Sequence, residues 1–298
     1  MKKIFITGAN GLLGQAIVSL FTRESNYQLV LSSVEDKPFL EYGHPYVQLD
    51  ITDKESVKET IAQHSPDVII NCAAFTEVDK CETERELCWK LNVDGVKNLI
   101  IASRRTESKI VHYSTDYIFD GKNGPYDEDA TPNPISFYGR SKLASENALT
   151  TSGVDYCIIR TMVLFGIGNN IKKNFALWLV ETLKKNQPVT IVTDQIGNAT
   201  ISDDLAYGTY KIIEKNRSGI YHIAGKDIIS RFDFTLKLCE VFGFNKKLVS
   251  PIYTKDLNQP APRPLNSGLL VLKAESDLGI KLMDSTESLR LLKVQLGE

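Results

Sequence analysis

Seven residues near the start constrain the fold most: Gly8-Ala9-Asn10-Gly11-Leu12-Leu13-Gly14. They follow a β-rich run, residues 3–7, and open a stretch, residues 12–23, in which Leu13, Ile17, Leu20 and Phe21 share one helical face. A strand that turns through glycines into a helix gathers free backbone N–H groups and the positive end of the helix dipole at one point, a cradle for an anion. Gly8 permits the tight turn, Gly11 lets the backbone approach a pyrophosphate, and Gly14 lets the helix lie close on the sheet. Three glycines alone are a weak signal. Their place between a strand and an amphipathic helix reads as a dinucleotide-binding turn.

The alternation continues. Residues 28–31, 46–49, 67–71, 109–113 and 155–160 read as strands. Residues 53–64, 82–105 (one long helix) and 136–149 read as helices, the first capped by Thr52 or Asp53. Short links between alternating strands and helices call for a parallel sheet covered on both faces, with right-handed crossovers. The predicted fold is α/β: a doubly wound parallel sheet of the Rossmann type. Beyond Arg160 the pattern loosens. Residues 175–185, 202–215 and 231–242 read as helices, and 219–223 as a strand that could rejoin the sheet. Residues 258–266 carry Pro260, Pro262 and Pro264 and must be extended loop. The expected division is a nucleotide-binding domain over 1–165 and 190–228, with a smaller C-terminal substrate-binding lobe over 166–189 and 229–298.

Composition excludes several other classes. The 298 residues suffice for a core without disulfides or metals. With 35 basic against 37 acidic side chains there is no positive excess to hold a nucleic acid. Five cysteines, an odd count with no C-x-x-C pair, read as reduced thiols of a cytoplasmic protein. Four scattered histidines make no ligand pair, so no metal site is expected. The apolar start stops at Thr7, too soon for a secretory signal, and no run approaches membrane-spanning length. Trp89 and Trp178 read as core or interface packing, Cys72 as packing, and the Lys172-Lys173 and Lys184-Lys185 pairs as solvated faces.

Two further constellations carry chemistry. In Tyr138-Gly139-Arg140-Ser141-Lys142, tyrosine and lysine four apart share a helix face. A free phenol titrates near ~10, and an adjacent ammonium lowers that value. Such a tyrosine can hand a proton to a ketone oxygen while hydride reaches the carbon. The second is Ser114-Thr115-Asp116-Tyr117-Ile118-Phe119-Asp120-Gly121, at the end of the fifth strand, where ligands of open α/β sheets bind. A hydroxyl there can hold a substrate carbonyl beside the tyrosine. Cofactor choice stays open between NADP and NAD. The second strand ends Leu31-Ser32-Ser33, where serines such as Ser32 accommodate a 2′-phosphate and favour NADP, while Glu35 and Asp36 come slightly late for a ribose.

These sites, in this order, resemble the extended short-chain dehydrogenase/reductase superfamily, and more finely the dTDP-4-dehydrorhamnose reductases, over nearly the whole chain. The most specific segments are Asn71-Cys72-Ala73-Ala74-Phe75-Thr76-Glu77-Val78-Asp79-Lys80-Cys81-Glu82 and residues 114–121, then Asp194-Gln195-Ile196-Gly197 and Arg263-Pro264-Leu265-Asn266-Ser267. The resemblance implies NAD(P)H-dependent reduction of the C4 ketone of a nucleotide-activated 4-keto-6-deoxy sugar. Thr115 would hydrogen-bond that carbonyl and Tyr138 would donate the proton. Lys142 would lower the tyrosine's pKa and hold the nicotinamide ribose. Gly8, Asn10, Gly11, Leu12 and Gly14 would surround the pyrophosphate, Asp50 and Ile51 the adenine, and Ala73, Ala74 and Thr76 would line the cofactor. Ser114, Asp116, Tyr117 and Asp194 would face the sugar, and Arg263 the nucleotide diphosphate. A homodimer is an expectation from the family. Related enzymes epimerise or dehydrate nucleotide sugars, and one relative in animals is a non-catalytic, dinucleotide-binding regulatory subunit of methionine adenosyltransferase. The chain departs from the family pattern at Val163, where an aromatic platform is usual, at Ala199 in place of proline, and at Gly268 in place of arginine.

Overall fold

The computed structural model describes residues 1–298. In chain order the strands are β1 (Lys3–Thr7), β2 (Gln28–Ser33), β3 (Tyr46–Gln48), β4 (Val68–Asn71), β5 (Lys109–Thr115), β6 (Tyr156–Thr161), β7 (Leu164–Phe165), β8 (Val189–Val192), β9 (Ile196–Gly197), β10 (Thr200–Ile201), β11 (Gly219–His222), β12 (Ile229–Ser230) and β13 (Val249–Ile252). The helices are α1 (Leu12–Glu24), α2 (Lys54–His64), α3 (Lys80–Thr83), α4 (Arg85–Trp89), α5 (Gly95–Thr106), α6 (Phe137–Thr150), α7 (Phe175–Lys184), α8 (Ser202–Glu214), α9 (Arg231–Phe242), α10 (Leu272–Leu278) and α11 (Ser285–Gln295).

Seven strands form one parallel sheet in the order β11-β6-β5-β4-β1-β2-β3. The doubly wound topology is as expected from the alternation. Because both faces are covered, consecutive residues of one strand are all apolar and point to opposite cores. Ile4 and Ile6 join α1 and α8 in one core, while Phe5 joins Val57, Ile61 and Leu99 of α2 and α5 in the other. Strand order reverses between β1 and β4, and a crevice at the carboxyl ends of the strands opens at such a reversal.

A smaller core holds α7, α9 and α11 against the β8–β13 pair, with Leu179, Leu183, Ile191, Phe234, Leu238 and Leu292 at its centre. Its boundaries differ from the expected division. Val189–Val192 pairs with Val249–Ile252 rather than with the large sheet. Leu269, Val271, Ala274 and Leu278 pack in the core of the large sheet. A division by packing places 189–192 in the smaller unit and 269–282 in the larger, and we propose that one in place of the sequence-based split.

The long helix expected over 82–105 is broken into α3, α4, a π turn at Lys90–Asp94 and α5. Its reason lies in Asn92, which the π turn aims back at the loop after β4. Trp89 and Trp178 are both 38% exposed and do not belong to a core. No helix is long and apolar enough to cross a membrane.

Candidate active site

The glycine turn is built by close approach. Gly8 has φ +63°, and a Cβ there would meet Ala73 N at 2.7 Å, so only glycine lets β1 leave the sheet beside the loop after β4. A Cβ on Gly14 would meet Ala9 Cα at 2.7 Å, so glycine seats α1 against the turn. Gly11 is the N-cap of α1, with no side-chain cap and no acidic residue in the first turn. The first N–H groups of α1 therefore lack side-chain acceptors, and the dipole end carries no neutralising carboxylate. This fits a pyrophosphate.

The Asn10 and Ser32 side chains have other tasks. Asn10 Nδ2 donates to Glu35 Oε2 (3.1 Å) and Lys37 O (3.0 Å), and Oδ1 accepts from Phe39 N (2.9 Å), so it ties down the loop after β2. Ser32 is fully buried and donates to Ile6 O at 3.2 Å, which removes its hydroxyl from any 2′-phosphate. Just past that end of β2 stands Glu35, whose carboxylate accepts hydrogen bonds from the Ser33 hydroxyl and Asn10. Burial pushes its carboxyl up, but hydrogen bonds from Ser33, the backbone and Asn10 outweigh burial and hold it below the usual range. Asp50 is exposed and accepts from Thr52 N, and the Ile51 side chain packs on Gly95 of α5.

At the end of β4, Ala73, Ala74 and Thr76 lie on a loop that Asn92 clamps. Asn92 Oδ1 accepts from Phe75 N (2.8 Å), and Nδ2 donates to Phe75 O (3.0 Å) and Ser141 Oγ (3.0 Å). One buried amide from the π turn thus fixes the loop to α6. Mid-helix π turns of this kind recur at functional sites. Cys72, in the same loop, has no base beside it, and burial pushes its thiol up.

Helix α6 starts at Ser136, whose Oγ accepts from Gly139 N (3.1 Å). It carries Tyr138 and Lys142 one turn apart, both buried. A buried ion pair seats the helix: Arg160 of β6 donates to both Glu146 carboxylate oxygens, at 3.1 and 2.8 Å, with both side chains 3% exposed. The Thr115 hydroxyl, at the end of β5, lies near the Tyr138 phenol and favours its ionised form, an effect that burial outweighs. It also donates to Asp116 Oδ1 (3.0 Å) and accepts from Tyr117 N (3.2 Å). The Ser114 hydroxyl is buried beside it without a partner.

The electrostatics differ from the expected lysine effect. Lys142 Nζ stands 3.2 Å from His112 Nε2, and Asn71 Nδ2, with its Oδ1 held by Thr7, donates to His112 Nδ1 (3.1 Å). Burial pushes Lys142 down to about 8, and burial plus the lysine charge keep His112 neutral. Tyr138 is not lowered: burial and then the Asp116 charge raise it. Burial also pushes Asp116 up to about 6, against hydrogen bonds from Ser267 (2.6 Å) and Thr115.

Asp116 and Tyr117 open onto a cleft whose other walls are Met162, Val163, Gln195, Arg231, Pro264 and Ser267. Two expected ligand residues are placed otherwise. Arg263 is bidentate to Asp79, both contacts 2.8 Å, and also donates to Ala261 O (2.7 Å). Asp194 accepts from the Thr254 N–H and hydroxyl and lines a separate outer pocket with Tyr253, Lys255 and Arg263. Gly268 has a packing reason, since a Cβ would meet Ile228 Cγ2 at 2.6 Å. His112, Asn92 and Arg231 carried no sequence signal of their own. Asp79 and Ser267 lay in the family-like segments, but their partners are distant in sequence.

The doubly wound sheet, the glycine turn and the Tyr-x-x-x-Lys helix define an NAD(P)-dependent oxidoreductase of the extended short-chain dehydrogenase/reductase class. The sequence model of the RmlD substrate binding domain matches residues 1–296, and the chain belongs to that family, the dTDP-4-dehydrorhamnose reductases. It is 34% identical over 297 residues to a probable low-salt glycan biosynthesis reductase of Haloferax volcanii, covering 99% of this chain and 98% of that one. A dTDP-4-dehydrorhamnose reductase from Clostridium acetobutylicum is structurally similar, with TM-score 0.89, 35% identity and coverage of 99% and 100%. So is one from Bacillus anthracis in complex with NADP, with TM-score 0.87, 30% identity and coverage of 99% of each chain.

Proposed function

We propose that this chain reduces the C4 ketone of a nucleotide-activated 4-keto-6-deoxy sugar, dTDP-4-dehydrorhamnose to dTDP-L-rhamnose, with NADPH or NADH. The observation that carries the reading is the grouping of Thr115, at the carboxyl end of β5, with the buried Tyr138 and Lys142 one turn apart on α6, at the same end of the sheet as the glycine turn. The names of the similar Clostridium and Bacillus proteins support the substrate, and the NADP held by the latter supports the cofactor.

Gly8, Gly11, Leu12 and Gly14 would hold the pyrophosphate by backbone contact, with Ala73, Ala74 and Thr76 along the nicotinamide side and Asp50 and Ile51 near the adenine. Bound there, the dinucleotide supplies hydride. Thr115 holds the ketone oxygen in line with the phenol. Tyr138 gives its proton to that oxygen as negative charge develops. A donor must start protonated, and burial beside Asp116 keeps this phenol so at neutral pH. Lys142 in its ammonium form opposes the cost of phenolate as it forms, and it holds the ribose. Asp116, Tyr117 and the free Ser114 hydroxyl orient the sugar.

The test is turnover of reduced dinucleotide by purified protein with dTDP-4-dehydrorhamnose, set against UDP- and GDP-linked 4-keto sugars. Consumption with the dTDP substrate supports the reading. A bound dinucleotide that is never consumed by any of them would overturn it.

A further inference from the structure

Arg231 is the cleft's uncommitted cation. Arg263 is already neutralised by the bidentate contact with Asp79. Arg231, the first residue of α9, lies half-buried against Asp116 and Tyr117, yet its guanidinium makes no hydrogen bond and no ion pair within the chain. The nearest carboxylate, Asp116, is committed to Ser267 and Thr115. The guanidinium carbon stands 4.9 Å from the centroid of the Phe175 ring of α7, so a cation–π contact with the smaller unit supports it. Its donors have no acceptor in the chain and line the cleft, where an anion that enters can pair with them.

A second, independent mark lies on the same wall. Val163 has φ +47°, a left-handed conformation that is an outlier for a β-branched residue. Backbone strain of this sort persists where surrounding structure over-determines it, as at ligand clamps.

The geometry points to Arg231 as the residue that binds the diphosphate of the nucleotide sugar, with Arg263 acting as a strut for the proline-rich loop. This rests on the nucleotide-sugar reading above. A sugar whose C4 ketone lies at Thr115 and Tyr138 runs along Asp116 and Tyr117, the next residues of the chain. Its anomeric carbon, across the ring, then faces Arg231 and delivers a phosphate to the guanidinium, which pairs with two phosphate oxygens at once. Beyond Gln195 and Pro264 the outer pocket offers Tyr253, 58% exposed, as a platform for the base.

Calorimetric titration of the NADP-loaded protein with dTDP, UDP and thymidine tests this, using Arg231→Gln, Arg231→Met and Arg263→Gln. Arg231→Met keeps an apolar stem on Phe175 and removes only the donors. Both Arg231 variants should weaken dTDP or UDP by roughly ten- to a hundredfold, the size of a lost charge-assisted pair. Thymidine binding should be unchanged, and in turnover KM should rise with kcat little altered. Arg263→Gln should chiefly lower Tm. Nucleoside diphosphate affinity within about twofold of wild type in a folded Arg231 variant would overturn the assignment, as would absence of any nucleoside diphosphate binding by wild type. Loss of dTDP or UDP affinity on Arg231 substitution, in a protein that reduces no keto sugar, would sustain the assignment and sink the reaction.

Discussion

The two sides of the cleft are made in different ways. The side proposed for the dinucleotide comes from segments that the parallel sheet lines up as neighbours: residues 8–14, 71–76 and 112–117 leave β1, β4 and β5 side by side, and α6 returns over them. Much of its work falls to backbone atoms and to glycines that admit them, so local spacing nearly determines the geometry. The side proposed for the sugar joins Asp116, Val163, Gln195, Arg231 and Ser267, each from a different stretch of chain. There the outcome depends on which charges find partners. Arg263 looks like a free guanidinium in sequence and is spent on Asp79. Arg231 looks like an ordinary helix start and is the free one. A site made by backbone is legible in spacing, whereas a site made by charge pairing requires the tertiary structure.

Four perturbations sharpen that contrast, beginning with the largest. Tyr138→Phe removes the proton donor and should cut kcat by roughly a hundred- to ten-thousandfold with Tm preserved. Rate measurements on wild type and Tyr138→Phe with both cofactors check it. Next comes the ion pair seating α6. Glu146→Gln strands a buried guanidinium and should cost about 3–5 kcal/mol in denaturant unfolding, while replacing Glu146 and Arg160 together by leucine should recover much of that. Equal loss in the single and double variants would contradict the account.

The third concerns protons. Lys142, lowered to about 8, should make kcat/KM fall as pH rises through that value. Asp116 has a folded pKa near 6, above its unfolded value, so its contribution favours folding below the unfolded pKa and is lost as pH rises through 6. The Tm of Asp116→Asn relative to wild type should therefore be higher at about pH 7.5 than at about pH 5. A difference independent of pH would refute the raised carboxyl.

The smallest effect is expected at Glu35. A carboxylate at the end of the second strand repels a 2′-phosphate. Glu35→Gln should shift the ratio of kcat/KM values towards NADPH by roughly three- to tenfold, the size of one screened charge contact. No change would place Glu35 outside the ribose site.

Most of the sheet was legible because apolar runs buried on both faces leave few alternatives. Lys3–Thr7 and Arg231–Phe242 match the sequence reading in full, and other boundaries move by a residue or two. The break at Lys90–Asp94 was hidden, since Leu87, Leu91, Leu99 and Ile100 read as an unbroken helix and the π turn answers to Asn92 reaching Phe75 and Ser141. The Tyr138–Lys142 pair was legible from spacing, but its protonation was not. Lysine at one helical turn suggests a lowered phenol, whereas burial and then the Asp116 charge raise it. Ser32 misled for a similar reason: strand position says nothing of a hydroxyl turned to Ile6 O.

The most direct test of the account is label transfer. With reduced dinucleotide deuterated at the nicotinamide C4, and dTDP-4-dehydrorhamnose as substrate, the account predicts a product carrying deuterium at sugar C4, formed roughly a hundred- to ten-thousandfold more slowly by Tyr138→Phe under the same conditions. A sugar product without deuterium, or the labelled product formed at the same rate by Tyr138→Phe, would contradict it.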